Sequence, residues 1–211
     1  MNANDKQTAS FGNEVNTLFT NFGKGHFSEK SGKWAPSTTP QQTVDIAWCG
    51  QYIISERAKW ATEELRRMMA TASDQEVRDF KLREFEAVAA AGTFSYGNAK
   101  SLIRRSRFIA IDIDDLDSTE QAREILHTLT NDKEVVTALA FVSPKGRGAK
   151  WWAELPEWCQ DMTFAEQYAA LSRYIGYEYG IQADSSCSNV NRLCFLPYDK
   201  DCYVNPKYTQ I

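Results

Sequence analysis

The chain has 211 residues, of which 43% are hydrophobic and 25% are charged, and its formal net charge of −4 excludes a strongly basic nucleic-acid coat. Its two histidines and five scattered cysteines, with no CxxC pair, argue against a histidine-pair site, a structural zinc site and a disulfide framework. Because no apolar run is long enough for a membrane span and the N-terminus has no signal pattern, we expect a cytoplasmic protein without a membrane partner.

The first half of the chain predicts a mixed region that we call the annex, residues 1–106. Glycine and proline punctuation indicates loops, and apolar spacing with capping residues indicates helices. The predicted elements are a loose segment at 1–12, a strand or short amphipathic piece at 14–22, a loop at 23–42, a helix at 43–67 with a break near 56–59, a helix from the Ser73–Glu76 capping box to about 85, and an extended segment at 92–95.

The second half, residues 107–211, alternates strands and helices. The predicted elements are strands at 107–114, 135–142, 149–155 and 192–197 and helices at 118–130 and 162–179. Their order is β-α-β-β-α-β, which predicts a ferredoxin-like or RRM-like sheet with its first and third strands adjacent in the centre. The fold class is therefore α+β, a core of this kind with an N-terminal helical annex.

An acidic pair ends the first core strand, where the run Phe-Ile-Ala-Ile leads into Asp112-Ile-Asp114. Side chains alternate across a strand, so the two carboxylates share one face. Unpaired buried carboxylates are costly, and a divalent cation such as Mg²⁺ or Mn²⁺ would remove that cost. The alternative is an ordinary acidic turn at a strand end, because Asp115 and Asp117 follow at once.

A glycine-rich segment separates the second and third core strands, with the sequence SPKGRGAK. Its glycines let backbone N–H groups approach a ligand, and its cations suit phosphate, although the same sequence also makes a good tight turn. The binding candidates in this segment are Ser143, Lys145, Arg147, Gly148 and Lys150. Asp184 follows the second core helix and is either a third carboxylate of the acidic group or a turn residue.

Carboxylates beside a cationic, glycine-rich loop are the groups that phosphoryl or nucleotidyl transfer requires. The ordered set of motifs also resembles a known family. The residues that carry the likeness are GTF at 92–94, the acidic strand, the SPKGRGAK segment, YGIQAD at 179–184, RLCFLPYD at 192–199 and YVNP at 203–206. In these motifs the chain resembles the archaeo-eukaryotic primase superfamily, and within it the VirE N-terminal-like domain of bacterial mobile and phage elements.

The resemblance implies a primase-like, metal-dependent nucleotidyltransferase that acts in DNA replication of a mobile or phage element. It implies Mg²⁺ or Mn²⁺ on Asp112, Asp114 and Asp184 as metal-binding and catalytic carboxylates, with Asp199 competing for the third place. Ser143 and Arg192 become phosphate contacts. The implied partners are nucleoside triphosphates, a single-stranded DNA or RNA template and a separate helicase.

One departure from the family pattern concerns Lys150, which stands where many such primases carry a nucleotide-binding histidine. Lysine keeps a cation for phosphate but lacks the planar ring that titrates near neutral pH. The alternative function is therefore a catalytically inactive module of the same fold that binds a nucleotide or a single strand.

Overall fold

The computed structural model describes residues 16–209, so the predicted loose segment 1–12 lies outside the described residues. This part of the chain is an α+β fold of antiparallel sheets. Its strands are β1 Phe19–Gly23, β2 His26–Ser28, β3 Lys33–Ala35, β4 Gln42–Val44, β5 Ala87–Ala89, β6 Gly92–Phe94, β7 Leu102–Arg105, β8 Phe108–Ile113, β9 Thr137–Val142, β10 Ala149–Glu154, β11 Cys194–Phe195 and β12 Tyr203–Val204. Its α-helices are α1 Ile46–Ile54, α2 Lys59–Met68, α3 Asp74–Glu84, α4 Thr119–Thr130 and α5 Phe164–Tyr179.

The core sheet has the strand order β12-β9-β10-β8. Strands β8 and β9 both run antiparallel to β10, which lies between them, so β8, α4 and β9 form a split βαβ unit. The predicted adjacency of the first and third core strands is confirmed, because Lys150 of β10 lies directly opposite Asp112 of β8. Strand β8 is at the edge of this sheet, however, and not in its centre.

The annex sheet has the order β11-β5-β1-β4 and packs on one face of the core sheet, while α4 and α5 cover the other face. The alternation of side chains along β10 shows these layers. Trp151 packs with the helices and Trp152 packs with the annex, and both are fully buried. Two aromatic side chains that are consecutive in sequence therefore serve two different hydrophobic cores.

The last predicted core strand differs from the ferredoxin-like expectation. The strand at 192–197 is reduced to β11, which pairs with β5 in the annex sheet instead of with β8. The Leu196 amide continues this attachment by donating to the Glu86 carbonyl at 2.9 Å. Leu196 and Cys194 are buried in the core between the two sheets, and this burial explains why the segment joins the annex.

Capping residues fix the predicted helix starts. Asp45 caps α1, and Ser73 forms the predicted capping box with Glu76 at the start of α3. The predicted break after α1 is a single turn of 3₁₀ helix at Glu56–Ala58. The predicted loop at 23–42 instead contains the β2–β3 hairpin, which turns near Gly32 with its positive φ of 64°. No helix within residues 16–209 has the combined length and apolar character needed to cross a bilayer.

Candidate functional site

The acidic pair lies where β8 ends. Asp112 is the penultimate residue of the strand and is buried, whereas Asp114 follows the strand and is exposed. Asp115 then adopts a left-handed backbone with φ of 58°, and Leu116 donates its amide to the Arg147 carbonyl at 3.1 Å. Asp115 is therefore a turn residue, and the turn keeps the acidic pair next to the glycine-rich segment.

Lys150 forms the central ion pair of this region. Its Nζ lies 2.7 Å from Asp112 Oδ2 and 3.4 Å from Asp114 Oδ1, and the side chains of Lys150 and Asp112 are each only 11% exposed. Burial acts to lower the pKa of Lys150, but the attraction of Asp112 and Asp114 outweighs burial and holds that pKa above its ordinary value. The ammonium therefore stays charged at physiological pH.

Asp184 joins the same region from the segment after α5. Its amide donates to the Asp112 carbonyl at 2.8 Å, and its carboxylate accepts a hydrogen bond from the Ser186 amide at 2.9 Å. This local cap is the turn role that the sequence left open for Asp184. The buried Cys187 thiol lies 3.3 Å from Asp112 Oδ2 and 3.2 Å from Asp184 Oδ2, so it links the two carboxylates. Burial and the nearby Asp112 raise the pKa of Cys187, which keeps it a thiol.

Asp199, the other candidate for the third carboxylate, lies outside this group. It is 3% exposed and forms a two-point ion pair with Arg123, and its Oδ2 also accepts the Val142 amide at 2.8 Å. These contacts use both carboxylate oxygens in joining α4 to the core sheet. The structure therefore brings Asp184, and not Asp199, to Asp112.

The glycine-rich segment is a turn held from two sides. The Ser143 amide donates to the Gly148 carbonyl at 2.8 Å, and Thr119 Oγ1 donates to the Gly146 carbonyl at 2.9 Å. Arg66 of α2 reaches across from the annex and donates to the carbonyl groups of residues 143 and 144. An annex helix therefore helps to fix the shape of the turn.

Gly148 is required at its position by close packing. A Cβ placed there would lie 2.9 Å from Asp114 Oδ1, 2.9 Å from the Ile113 carbonyl oxygen and 3.0 Å from Ser143 Oγ. These distances are shorter than ordinary van der Waals contacts, and one of the neighbours is backbone. The absence of a side chain at Gly148 thus lets the turn approach the acidic pair.

These groups surround one cleft with a volume of about 1230 Å³. Apart from Asp199, the sequence singles out nine residues; eight of them line the cleft, and Gly148 packs against two of these eight, Asp114 and Ser143. The eight are Asp112, Asp114, Ser143, Lys145, Arg147, Lys150, Asp184 and Arg192. The volume exceeds the roughly 300–1,000 Å³ of common small-molecule pockets, so the cleft has room for a ligand of nucleotide size.

All residues that line the cleft, except Met69, lie within a segment that matches a known family. Residues 81–204 match the family model described as BT4734-like, N-terminal domain, which is more than half of the chain. The chain belongs to this BT4734-like N-terminal domain family. The matched segment contains the core sheet and every predicted site residue. No curated protein and no solved structure matched the chain.

The BT4734-like segment begins at Lys81, a residue that the sequence reasoning missed. Lys81 lines the cleft from α3 and is partly buried, and its Nζ lies 5.5 Å from the centroid of the Phe195 ring. Burial first, and then repulsion from Lys145 and Lys150, lowers its pKa and outweighs the weaker attraction of the carboxylates of the acidic pair. Within residues 16–209 no carboxylate forms an ion pair with Lys81. The mixed charges of α3 resemble a half-exposed helix and gave no signal of this position.

A second pocket of about 480 Å³ adjoins the cleft of this BT4734-like domain. The two cavities share Lys81, Arg192, Leu193 and Phe195. Arg78, Asn189 and Asn191 line the second pocket alone, and they add a cation and two amide side chains. The shared residues place the two cavities side by side.

The carboxylates do not fit a bound Mg²⁺ or Mn²⁺ as they are arranged. Among the residues that the structure describes, no three His, Cys, Asp or Glu side chains are grouped so that they could hold a metal ion. The Lys150 ammonium lies between Asp112 and Asp114, and the Cys187 thiol lies between Asp112 and Asp184. One oxygen of each carboxylate, Oδ2 of Asp112, Oδ1 of Asp114 and Oδ2 of Asp184, therefore already has a donor beside it.

Proposed function

We propose that the cleft is a nucleotide-binding site that holds phosphate groups with its own cations. The observation that carries the proposal is the Lys81 ammonium, which is partly buried beside Lys145 and Lys150 and has no ion pair among the described residues. Withdrawing an ammonium from water without a counter-ion is unfavourable. A phosphate in the cleft would offset this cost and neutralise the repulsion among the three lysines.

The glycine-rich turn supports the same proposal. The backbone amides of Lys145 and Arg147 have no hydrogen-bond acceptor within residues 16–209, and both residues line the cleft. Free amides next to lysine and arginine side chains are a common arrangement for phosphate oxygens. Arg192, on the far side of the cleft, donates to the Ser186 carbonyl and lies where it would add a further contact to the ligand.

The metal-dependent nucleotidyl transfer that the primase resemblance implies stays a prediction, and the core departs from a complete ferredoxin-like sheet because β11 pairs with β5. Binding without transfer is the function that the geometry supports better, because Lys150 supplies positive charge between the carboxylates. The proposed activity is therefore recognition of a nucleoside triphosphate or of a related phosphate ester.

The test is calorimetric titration of ATP and dATP into the wild type and into Lys81→Ala, with and without EDTA. We expect Lys81→Ala to raise Kd at least about tenfold, which corresponds to about 1.4 kcal/mol of binding free energy. Lys133→Ala is the control, because Lys133 is exposed and does not line the cleft. Failure of the wild type to bind either nucleotide, or equal Kd values for the two variants, would contradict the proposal.

A second candidate function is binding of a single strand, and the adjacency of the two cavities favours it. A strand with one phosphate near Lys81 would carry its next nucleotide toward Arg78 and the two asparagines. Fluorescence anisotropy with an oligo-dT of about ten nucleotides is the measurement. Arg78→Ala should weaken binding of the strand by about tenfold, as expected for one charge-assisted contact, and leave the Kd for ATP unchanged. If the variant affects both ligands equally or neither, the second pocket does not bind the strand.

A further inference from the structure

The acidic pair is the obvious place for a divalent cation, yet a side chain of the protein lies there. Asp112 and Asp114 follow the strand spacing that puts two carboxylates on one face, and Lys150 comes from the neighbouring strand at the directly opposite position. Its Nζ is within 4.0 Å of an oxygen of each carboxylate. We propose that Lys150 takes the place of a metal ion, so that the site binds its ligand without a metal, and that removing Lys150 converts the acidic pair into a metal-binding site.

The space beside Asp112 Oδ2 holds only one cation. Divalent ions bind carboxylate oxygens at about 2.0–2.6 Å, so a metal on Asp112 would lie in the region that the ammonium occupies 2.7 Å from the same oxygen. Lys150 is the second residue of β10, where it pairs with β8, and its side chain is only 11% exposed, which leaves it little freedom to move aside. Metal and ammonium therefore exclude each other at this oxygen.

The net charge of the acidic pair with Lys150 is also unfavourable for a divalent ion. Two carboxylates and one ammonium leave a single negative charge, so the pair is nearly neutralised before any ligand arrives. A divalent ion added to this set would repel the ammonium at close range in a buried environment, where screening by water is weak. Without Lys150, the same two carboxylates would be adjacent and would have no ion-pair partner among the described residues, which is the condition that favours a divalent ion.

The test is titration of Mn²⁺ into nucleotide-free protein, followed by calorimetry and by the electron paramagnetic resonance signal of free Mn²⁺. We expect Lys150→Ala to bind Mn²⁺ at least about tenfold more tightly than the wild type, and Mn²⁺ to raise the melting temperature of the variant. Lys150→Met, which keeps the apolar stem, provides the same comparison if the alanine variant does not fold.

Two controls make the result specific. Lys59→Ala removes a lysine from an ion pair with Glu56 that is equally short, at 2.6 Å, but lies on the surface, and it should gain no Mn²⁺ affinity. The double variant Lys150→Ala/Asp112→Asn should lose the gained affinity, because one of the ligands is gone. Equal Mn²⁺ affinity of the wild type and Lys150→Ala, or a gain that survives Asp112→Asn, would overturn the proposal.

Ligand binding without a metal rests on the proposed nucleotide-binding function, and a separate measurement of ATP binding tests it. The Kd of the wild type for ATP should be the same in EDTA and in Mg²⁺. A Kd that improves tenfold with Mg²⁺ would overturn this part of the proposal. Absence of ATP binding under both conditions would contradict the proposed function alone, because the Mn²⁺ titration does not depend on a nucleotide.

Discussion

Replacing Asp199 by alanine is expected to lower the free energy of unfolding by about 3–5 kcal/mol, the usual loss when one partner of a buried ion pair is removed. The Asp199 side chain is 1% exposed and accepts from Arg123 and from the Val142 amide. The variant leaves a partly buried guanidinium without its main partner and a buried amide without an acceptor. Urea unfolding followed by circular dichroism measures the loss.

Asp201 provides a matched control for this prediction. It lies 3.6 Å from the same Arg123 group, but its side chain is 57% exposed. Because an exposed ion pair contributes little, Asp201→Ala should change the free energy of unfolding by no more than about 0.5 kcal/mol. Similar losses for the two variants would show that burial of Asp199 is not the source of its contribution.

Replacing Trp152 by alanine in the wild type is expected to lower the free energy of unfolding by about 3–5 kcal/mol, because a large buried aromatic side chain is lost and a cavity remains. Trp152 is fully buried between the two sheets, and its ring packs edge-on against Phe19 at a centroid distance of 5.3 Å and near Phe141 at 6.3 Å. The same urea measurement applies, with the melting temperature as a second readout.

Trp60 is the control for the tryptophan prediction. It lies on α2, is 59% exposed and has one tilted contact with Phe80. Trp60→Ala should therefore cost less than about 1 kcal/mol. If Trp60→Ala lowers the free energy of unfolding as much as Trp152→Ala does, the core between the sheets does not depend on Trp152.

The sequence predicts the core of the fold because its signals are local and repeated. Strand alternation and helix periodicity mark β8, β9, β10, α4 and α5, and capping residues such as Ser73 and Ser118 mark helix starts. The split βαβ order then predicts that the strand of Lys150 lies next to the strand of Asp112. Most of the cleft follows from this adjacency of two strands, because the acidic pair lies at the end of β8 and the glycine-rich turn leads into β10.

Other features depend on contacts that no local pattern records. Strand β11 has only two residues, which is too short to show a periodic pattern. It pairs with the annex sheet because the adjacent Leu196 is buried in the core between the two sheets. Lys81 reaches the cleft only because α3 docks beside it. The 2.7 Å contact of Lys150 with Asp112 depends on the conformation of the lysine side chain, so residue types alone left a metal site and an acidic turn as the alternatives and did not predict the ion pair.

The attachment of β11 to the annex sheet has a consequence for how the chain folds. The strands β1, β5 and β11 are neighbours in one sheet, yet they come from the beginning, the middle and the last part of the described chain. Contacts between such distant segments carry a large loop-closure cost and slow the folding of a domain. During synthesis the outer edge of β5 stays unpaired until the last part of the chain emerges, and an open strand edge of this kind is a site for aggregation.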